Sequence, residues 1–152
     1  MISIQVDGDG IYSVCIQDGA DLYQICHHGM TILQLAVRDN QESLVRFLLS
    51  EDVDPNYTPE ESEYPLNIAI KNKNISIIQL LLQAKANVLT KDYRGKTSLD
   101  YAFETNDEII QSIVQMAFIE QQLEVATSRL YLSRRLPAIL EENFRCTVDQ
   151  QP

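Results

Sequence analysis

The sequence predicts a mainly helical fold built from stacked helix-turn-helix units, and two repeated patterns support this. A six-residue pattern that begins at Thr31 returns at Tyr64 and again at Thr97, so the two intervals are equal. A second pattern, Phe47-Leu48-Leu49, is followed at the same interval by Leu80-Leu81-Leu82. A fixed period of roughly 33 residues is typical of stacked repeat architectures, which bind partners more often than they catalyse reactions.

The sequence pattern predicts two helices in each unit. The first helix of the middle unit begins near Pro65, where a missing N–H costs nothing, and Thr31 and Thr97 are suited to cap the equivalent helices. The second helix, Ile75 to Gln83, is apolar on most of its circumference, so we expect neighbours on more than one side. A small side chain recurs where the first helices would meet, at Ala36, Ala69 and Ala102.

At these residues the chain resembles the ankyrin repeats, whose signature is T-P-L-H-x-A. The matches are Thr-Ile-Leu-Gln-Leu-Ala at 31–36, Tyr-Pro-Leu-Asn-Ile-Ala at 64–69 and Thr-Ser-Leu-Asp-Tyr-Ala at 97–102. The segment 86–97 is similar to the family's interrepeat turn. The resemblance implies an ankyrin-repeat solenoid, with two complete repeats and a third that loses its ending, over about residues 29–117.

The chain departs from that signature at several positions. The signature His is replaced by Gln34, Asn67 and Asp100. Asp52 and Lys85 replace the Gly that ends the second helix, so they either adopt a left-handed conformation at a cost of about 1–2 kcal/mol each or end the helix differently. Pro59 and Ser62 stand where the family's turn has Asp and Gly.

Three domains are expected: an N-terminal cap at residues 1–28, repeats at 29–117, and a C-terminal helical extension with a polar tail at 118–152. The cap is open to two interpretations. Residues 19–21 precede Asp52-Val53-Asp54 by one repeat interval, which favours a degenerate half repeat. The β-branched runs at 2–6 and 11–16 around Asp-Gly-Asp-Gly favour a β-hairpin, and we prefer the hairpin.

After the third repeat, apolar residues step by three and four and predict one long helix over about residues 107–135. They are Ile109, Ile113, Met116, Ile119, Leu123, Ala126 and Leu130. Pro137 is expected to interrupt this helix, with a restart at 138–144. The stripe either hides the open face of the last repeat or is offered to another chain, which makes a dimer through the C-terminal helix an alternative.

Composition limits the partners. The chain has 12 basic and 22 acidic residues, a net charge of −10, which argues against nucleic acid as the partner and suits a basic protein segment. Three scattered cysteines, Cys15, Cys26 and Cys146, indicate free thiols in a reducing compartment. With no apolar signal segment and no long apolar run, the sequence predicts no membrane partner and a cytoplasmic location.

No catalytic, cofactor or metal site is expected, so the protein is predicted not to be an enzyme. Cys26, His27 and His28 form the one cluster that suggests a nucleophile or metal, but no second ligand pair has zinc spacing and no third group orients a base. Asp7-Gly8-Asp9-Gly10 lacks the closing acidic residue of a calcium loop, because Ile16 occupies that position.

The resemblance also implies where a partner binds, since ankyrin repeats usually grip proteins with their turn tips and the exposed side of their first helices. Carried over by position, the partner-binding residues are His27, His28, Met30, Arg38 and Asp39 in the first repeat, Glu60, Glu61, Glu63, Lys71 and Asn72 in the second, and Tyr93, Arg94, Lys96, Glu104 and Thr105 in the third. Residues 51–70 include six acidic residues and no basic one, whereas Lys91, Arg94 and Lys96 surround Tyr93.

The expected function is therefore a protein-binding adaptor or scaffold, with a protein or peptide partner that carries a basic segment. Two alternatives stay open. One is a bacterial ankyrin effector delivered into the cytoplasm of a host cell, and the other is a structural protein that self-associates through its C-terminal helix.

Overall fold

The computed structural model describes residues 4–6, 12–14, 22–23, 25 and 29–148, with side chains placed at 22–23, 25 and 29–130. Two compact units make up the chain, Met1–Ala86 and Asn87–Pro152. Within the described residues the chain forms β1 (Ile4–Val6), β2 (Tyr12–Val14), α1 (Ile32–Arg38), α2 (Glu42–Ser50), α3 (Pro65–Lys71), α4 (Ile75–Gln83), α5 (Ser98–Glu104) and α6 (Glu108–Val148). The predicted mainly helical architecture is confirmed.

The N-terminal strands follow the hairpin alternative. β1 and β2 pair antiparallel, with Ile4 opposite Val14 and Val6 opposite Tyr12. The Asp-Gly-Asp-Gly segment expected to turn between them lies outside the described residues. Whether these strands cap the first repeat remains a prediction.

Tyr23 ties the segment before the first repeat to the link that follows α2. Its hydroxyl accepts a hydrogen bond from the Asp54 backbone N–H at 3.1 Å. Its ring meets the ring of Tyr57 edge to face, with centroids 5.0 Å apart. Tyr23 precedes Asn56 by one repeat interval, and the Asn56 amide likewise reaches forward to a backbone group, the carbonyl of Lys85. This contact repeats the periodicity of the units that follow.

The helices begin where the sequence predicts. Thr31 and Thr97 each form a capping box, in which the hydroxyl accepts from the third helical N–H and that residue's side chain accepts from the threonine N–H. The partners in these boxes are Gln34 and Asp100. α3 begins at Pro65, and Asn74 caps α4. Local sequence signals therefore define the start of each first helix.

In the first unit, α1 packs on α3 and α2 packs on α4, so equivalent helices of consecutive repeats lie side by side. Ala36 and Ala69 are buried, as expected for the small residues at which the first helices approach each other. In the second unit α5 packs on α6.

The second helices bury the same position in every repeat. Leu48, Leu81 and Val114 are the seventh residues of α2, α4 and α6, are separated by one repeat interval each, and have no exposed surface. The start of α6 thus serves as the second helix of the third repeat.

Left-handed backbone conformations also recur with the repeat. Asn40, Lys73 and Asn106, each between the two helices of a repeat, have φ of 56°, 56° and 54°. At the ends of the second helices, Asp52 and Lys85 have φ of 57° and 66°, so these residues adopt the strained left-handed turn in which glycine carries no penalty. The third repeat has no such turn because α6 continues.

The expected interruption at Pro137 is wrong. α6 is one helix of 41 residues that runs to Val148. Proline lacks only its own N–H, so α6 loses a single backbone hydrogen bond at Pro137 and continues on both sides of it.

We expect Lys85→Gly to raise the free energy of unfolding by about 1 kcal/mol, because glycine adopts positive φ without Cβ strain and the relief exceeds its entropic cost. Urea denaturation followed by circular dichroism measures this change. The control is Gln79→Gly on the exposed side of α4, which should lower stability by about 1 kcal/mol. A loss of stability in both variants would contradict the prediction.

Candidate functional site

The turn at residues 92–96 (the 92–96 turn) is organised around a buried carboxylate. Asp92 Oδ1 accepts hydrogen bonds from the backbone N–H groups of Arg94 and Lys96 at 2.9 and 3.0 Å. Asp92 Oδ2 accepts from the Tyr101 hydroxyl at 2.5 Å. The Asp92 N–H donates to the Lys96 carbonyl at 2.9 Å, and Gly95 has φ of 76°. These bonds hold the turn rigidly on α5.

An aromatic residue and a cation stand together on this turn. The side chain of Tyr93 is half exposed, at 50%. The Arg94 guanidinium carbon lies 5.1 Å from the ring centroid, and Nε donates to the Tyr93 hydroxyl at 2.7 Å. The turn therefore presents a preformed pair of residues with both apolar and cationic surface.

The turn at residues 59–63 (the 59–63 turn) forms despite its departures from the family pattern. The Ser62 N–H donates to the Pro59 carbonyl at 3.2 Å, as the Gly95 N–H donates to Asp92. Proline has no N–H, so it cannot make the second bond of the 92–96 turn. The Glu63 carbonyl is equivalent to the Lys96 carbonyl that accepts this bond in the 92–96 turn. It accepts a hydrogen bond from the Gln34 side chain instead, at 2.6 Å. The residue with positive φ in this turn is Glu61, at 62°, one position before the equivalent of Gly95.

The hydrogen bonds of Gln34 explain why glutamine can replace the histidine of the repeat signature at this position. Its side chain is buried, and its Nε2 also lies within hydrogen-bond distance of Thr58 Oγ1 and Ser62 Oγ, at 2.9 and 3.0 Å. Its Oε1 accepts from the Thr31 N–H at 2.7 Å. One side chain thus joins the start of α1 to the 59–63 turn of the next repeat.

Several residues predicted to bind a partner form ion pairs with each other inside their own repeat. Glu63 forms an ion pair with Lys71, and Lys96 forms one with Glu104. These pairs occupy equivalent positions with the charges reversed. At the same positions in the first repeat, Arg38 Nη1 lies 3.9 Å from Met30 Sδ, and Arg38 also pairs with Asp39.

These ion pairs change the expected charge pattern of the turns. Glu63 and Lys96 are each neutralised by a neighbour on the first helix. The exposed acidic residues of the 59–63 turn are then Glu60 and Glu61, and the exposed basic residues around the 92–96 turn are Lys91 and Arg94.

Two other predicted residues complete helix ends. The Asn72 amide donates to the carbonyls of Val37 and Arg38 at 3.1 and 3.0 Å, so it caps α1 from the next repeat. Thr105 donates to the Ala102 carbonyl at 2.7 Å. Both side chains contribute to the scaffold.

His27 and His28, together with Cys26, lie outside the described residues. Among the residues that the structure describes, no group of His, Cys, Asp and Glu is arranged to hold a metal ion. In the same part of the chain, no helix has the length and apolar character needed to cross a bilayer.

The sequence reasoning missed Phe103 on α5. Its side chain is 53% exposed, whereas the equivalent residues Val37 and Ile70 are fully buried. In the first unit α3 packs on α1, the helix that carries Val37. The sequence contained a signal for the exposure of Phe103, namely the missing ending of the third repeat. Where the repeat pattern stops, no following first helix covers the position that Val37 occupies in the first repeat.

Comparison with known proteins identifies the repeat. The family model described as ankyrin repeats in three copies matches residues 33–123, more than half of the chain. This chain belongs to the ankyrin-repeat family. Ankyrin repeats generally mediate protein–protein interactions, and the family is typically non-catalytic.

Several curated proteins are similar to this ankyrin-repeat chain. It is 31% identical over 96 residues to the human transient receptor potential cation channel subfamily A member 1, covering 62% of this chain and 9% of the channel. It is 30% identical over 87 residues to the potassium channel SKOR of Arabidopsis thaliana, covering 57% of this chain and 10% of that protein. An ankyrin repeat protein of fowlpox virus is 33% identical over 123 residues, covering 75% of this chain and 36% of the viral protein.

The matched segments thus span from about a tenth to about a third of these relatives. What the relatives share with this chain is the repeat.

We expect Tyr101→Phe to destabilise the 92–96 turn, because it removes a buried hydrogen bond to the Asp92 carboxylate. The cost should be about 1–3 kcal/mol. Chemical denaturation measures it, and hydrogen exchange at the Arg94 and Lys96 amides should accelerate. Tyr93→Phe, which alters an exposed hydroxyl, is the control. Equal stability of wild type and Tyr101→Phe would count against this role of the hydroxyl.

We also expect Asp100 to make the free energy of unfolding depend on pH in the acid range. Its pKa lies below the ordinary 3.8 because the Thr97 N–H and hydroxyl donate to the carboxylate, with nearby Lys96 and Lys91 adding to the effect against slight burial. A pKa lowered by folding stabilises above the unfolded-state value and loses that effect as pH falls through the folded-state value. The stability advantage of wild type over Asp100→Asn, measured by urea denaturation at several pH values, should therefore be full well above pH 3.8 and decline as pH falls below that value. An advantage independent of pH would refute this.

Proposed function

We propose that this ankyrin-repeat protein is a non-catalytic adaptor that binds a protein or peptide partner through its turns. The observation that carries the proposal is the exposed Tyr93–Arg94 pair on the 92–96 turn. Tyrosine and arginine are enriched among the residues that dominate binding energy at protein interfaces.

The rigidity of the 92–96 turn supports this proposal. Binding a flexible loop costs conformational entropy, which weakens the complex. Here Asp92 accepts three hydrogen bonds and Gly95 supplies the required positive φ, so the turn is ordered before a partner arrives. The Tyr93 ring is also oriented in advance by Arg94.

Charge favours a partner with a basic segment at the 59–63 turn. Glu60 and Glu61 are exposed there, while Glu63 is paired with Lys71. Such charges act mainly on the rate and specificity of association. The chain's net charge of −10 attracts basic partners at longer range. We assign steering to Glu60 and Glu61 and anchoring to Tyr93.

The residues at the ends of the first helices have a supporting role in this proposal. Arg38, Lys71 and Glu104 each contact the residue two positions before the start of the first helix of their repeat. These pairs fix the geometry of the turns and would form the polar rim of a bound partner.

Self-association through α6 is a second candidate function. It is favoured by the large apolar residues that α6 exposes, among them Ile109, Met116, Leu123 and Leu130.

Affinity capture followed by quantitative mass spectrometry tests the turn proposal. Partners captured by the wild type should be depleted about tenfold or more by Tyr93→Ala/Arg94→Ala, since loss of an interface anchor costs about 2 kcal/mol. Glu60→Lys/Glu61→Lys should deplete the same partners.

The control variant is Glu42→Lys/Glu51→Lys, which makes the same change of net charge around α2 and should leave capture intact. Circular dichroism confirms that each variant folds. If the same partners are captured equally by the wild type and by both turn variants, the turns are not the binding surface.

A further inference from the structure

One face of α6 carries an apolar stripe with the spacing of a coiled coil. Ile109, Met116, Leu123 and Leu130 recur at every seventh position and are 60%, 63%, 58% and 61% exposed. Ser112, Ile119 and Ala126 fall between them at the alternate position, so together these side chains occupy positions a and d of a heptad. We call this set of seven the outer stripe.

The repeat itself does not require apolar residues on this face. The positions equivalent to Ile109 are Ser43 and Ser76, and those equivalent to Met116 are Ser50 and Gln83. All four are polar and exposed. The core contacts of α6 come from a different face, which carries the buried Ile110 and Val114. The outer stripe is therefore an addition specific to this helix.

A second copy of α6 fits the outer stripe when the two helices run antiparallel. With Met116 opposite Ile119 of the second copy, the heptad register places Ile109 opposite Ala126 and Leu123 opposite Ser112. In this register Ile109 and Leu123 each face a smaller side chain and Met116 faces Ile119, as knobs-into-holes packing requires, while Leu130 lies beyond the paired residues. The arrangement repeats itself by a two-fold axis, as a closed homodimer requires.

Charge selects the same register. At the flanking positions, the antiparallel alignment brings Glu108 of each copy beside Arg129 of the other. This makes two opposite-charge pairs related by the two-fold axis. In a parallel alignment Gln115 faces Glu120 and Gln122 faces Thr127, which offers no such pair.

We propose that two copies of this chain associate through an antiparallel coiled coil formed by their outer stripes, in the register that pairs Glu108 with Arg129. The proposal rests on the second candidate function, self-association through α6, and adds the orientation and register of the helices. It is independent of binding by the 59–63 and 92–96 turns.

Analytical ultracentrifugation of the full chain over a concentration series tests the association. The wild type should reach twice the chain mass of 17.3 kDa. Met116→Glu/Leu123→Glu should stay at the mass of one chain, because carboxylates would be buried between the helices. The control is Val125→Glu, which changes an exposed apolar residue of α6 that is not part of the outer stripe and should still dimerise.

A charge exchange tests the register. Glu108→Arg and Arg129→Glu should each raise the dimer dissociation constant by about fivefold or more, since each turns two attractive pairs into repulsive ones. The double variant Glu108→Arg/Arg129→Glu should recover the wild-type constant to within about twofold, because the pairs are restored with exchanged charges. Circular dichroism and thermal melting establish that each variant is folded.

Each contrary outcome has a distinct meaning. A wild type that stays at the mass of one chain overturns both the register and self-association. A dimer that survives Met116→Glu/Leu123→Glu shows that another surface holds it and overturns the proposal. A dimer that depends on the outer stripe but shows no rescue in the double charge variant overturns the antiparallel register, while self-association through α6 stands.

Discussion

The structure depends on burying the same apolar positions once in every repeat. Leu48, Leu81 and Val114 occupy one register of the second helices, and each is withdrawn from solvent. A helix of nine residues such as α4 is too short to be stable alone, so it exists because neighbours cover it. Consequently every loop must return the chain in step with the repeat, and the recurrent left-handed residues do so at Asn40, Lys73 and Asn106.

The polar residues of the turns serve this apolar packing. Asp92 in the 92–96 turn and Gln34 beneath the 59–63 turn are both buried, and both form several hydrogen bonds that make burial tolerable. The two turns reach a similar form by different chemistry, since proline at position 59 lacks the N–H that Asp92 donates and the Gln34 amide replaces it. Because these buried groups hold the turns, the outward side chains at positions 60, 61, 93 and 94 can differ between proteins without loss of the turn itself.

The third repeat shows what happens when the array stops. Phe103 is exposed where Val37 and Ile70 are buried, and α6 continues past the point at which α2 and α4 end. A terminal repeat must present a face that does not aggregate. Asp100 is exposed and Gln111 is half-buried where the earlier repeats carry the buried residues Gln34 and Ile78, so polar side chains lie beside Phe103 in the third repeat. The outer stripe of α6 lies on a different face.

The sequence by itself determined the repeat, the helix starts at Thr31, Pro65 and Thr97, and the mainly helical fold, because capping and apolar periodicity are encoded within a few residues of each other. It did not reveal the pairing of Glu63 with Lys71 or of Lys96 with Glu104, nor the continuity of α6 through Pro137. The two ion pairs depend on which side chains the folded chain brings within reach. Tertiary structure alone decided them, because distance in space is not a function of distance along the chain.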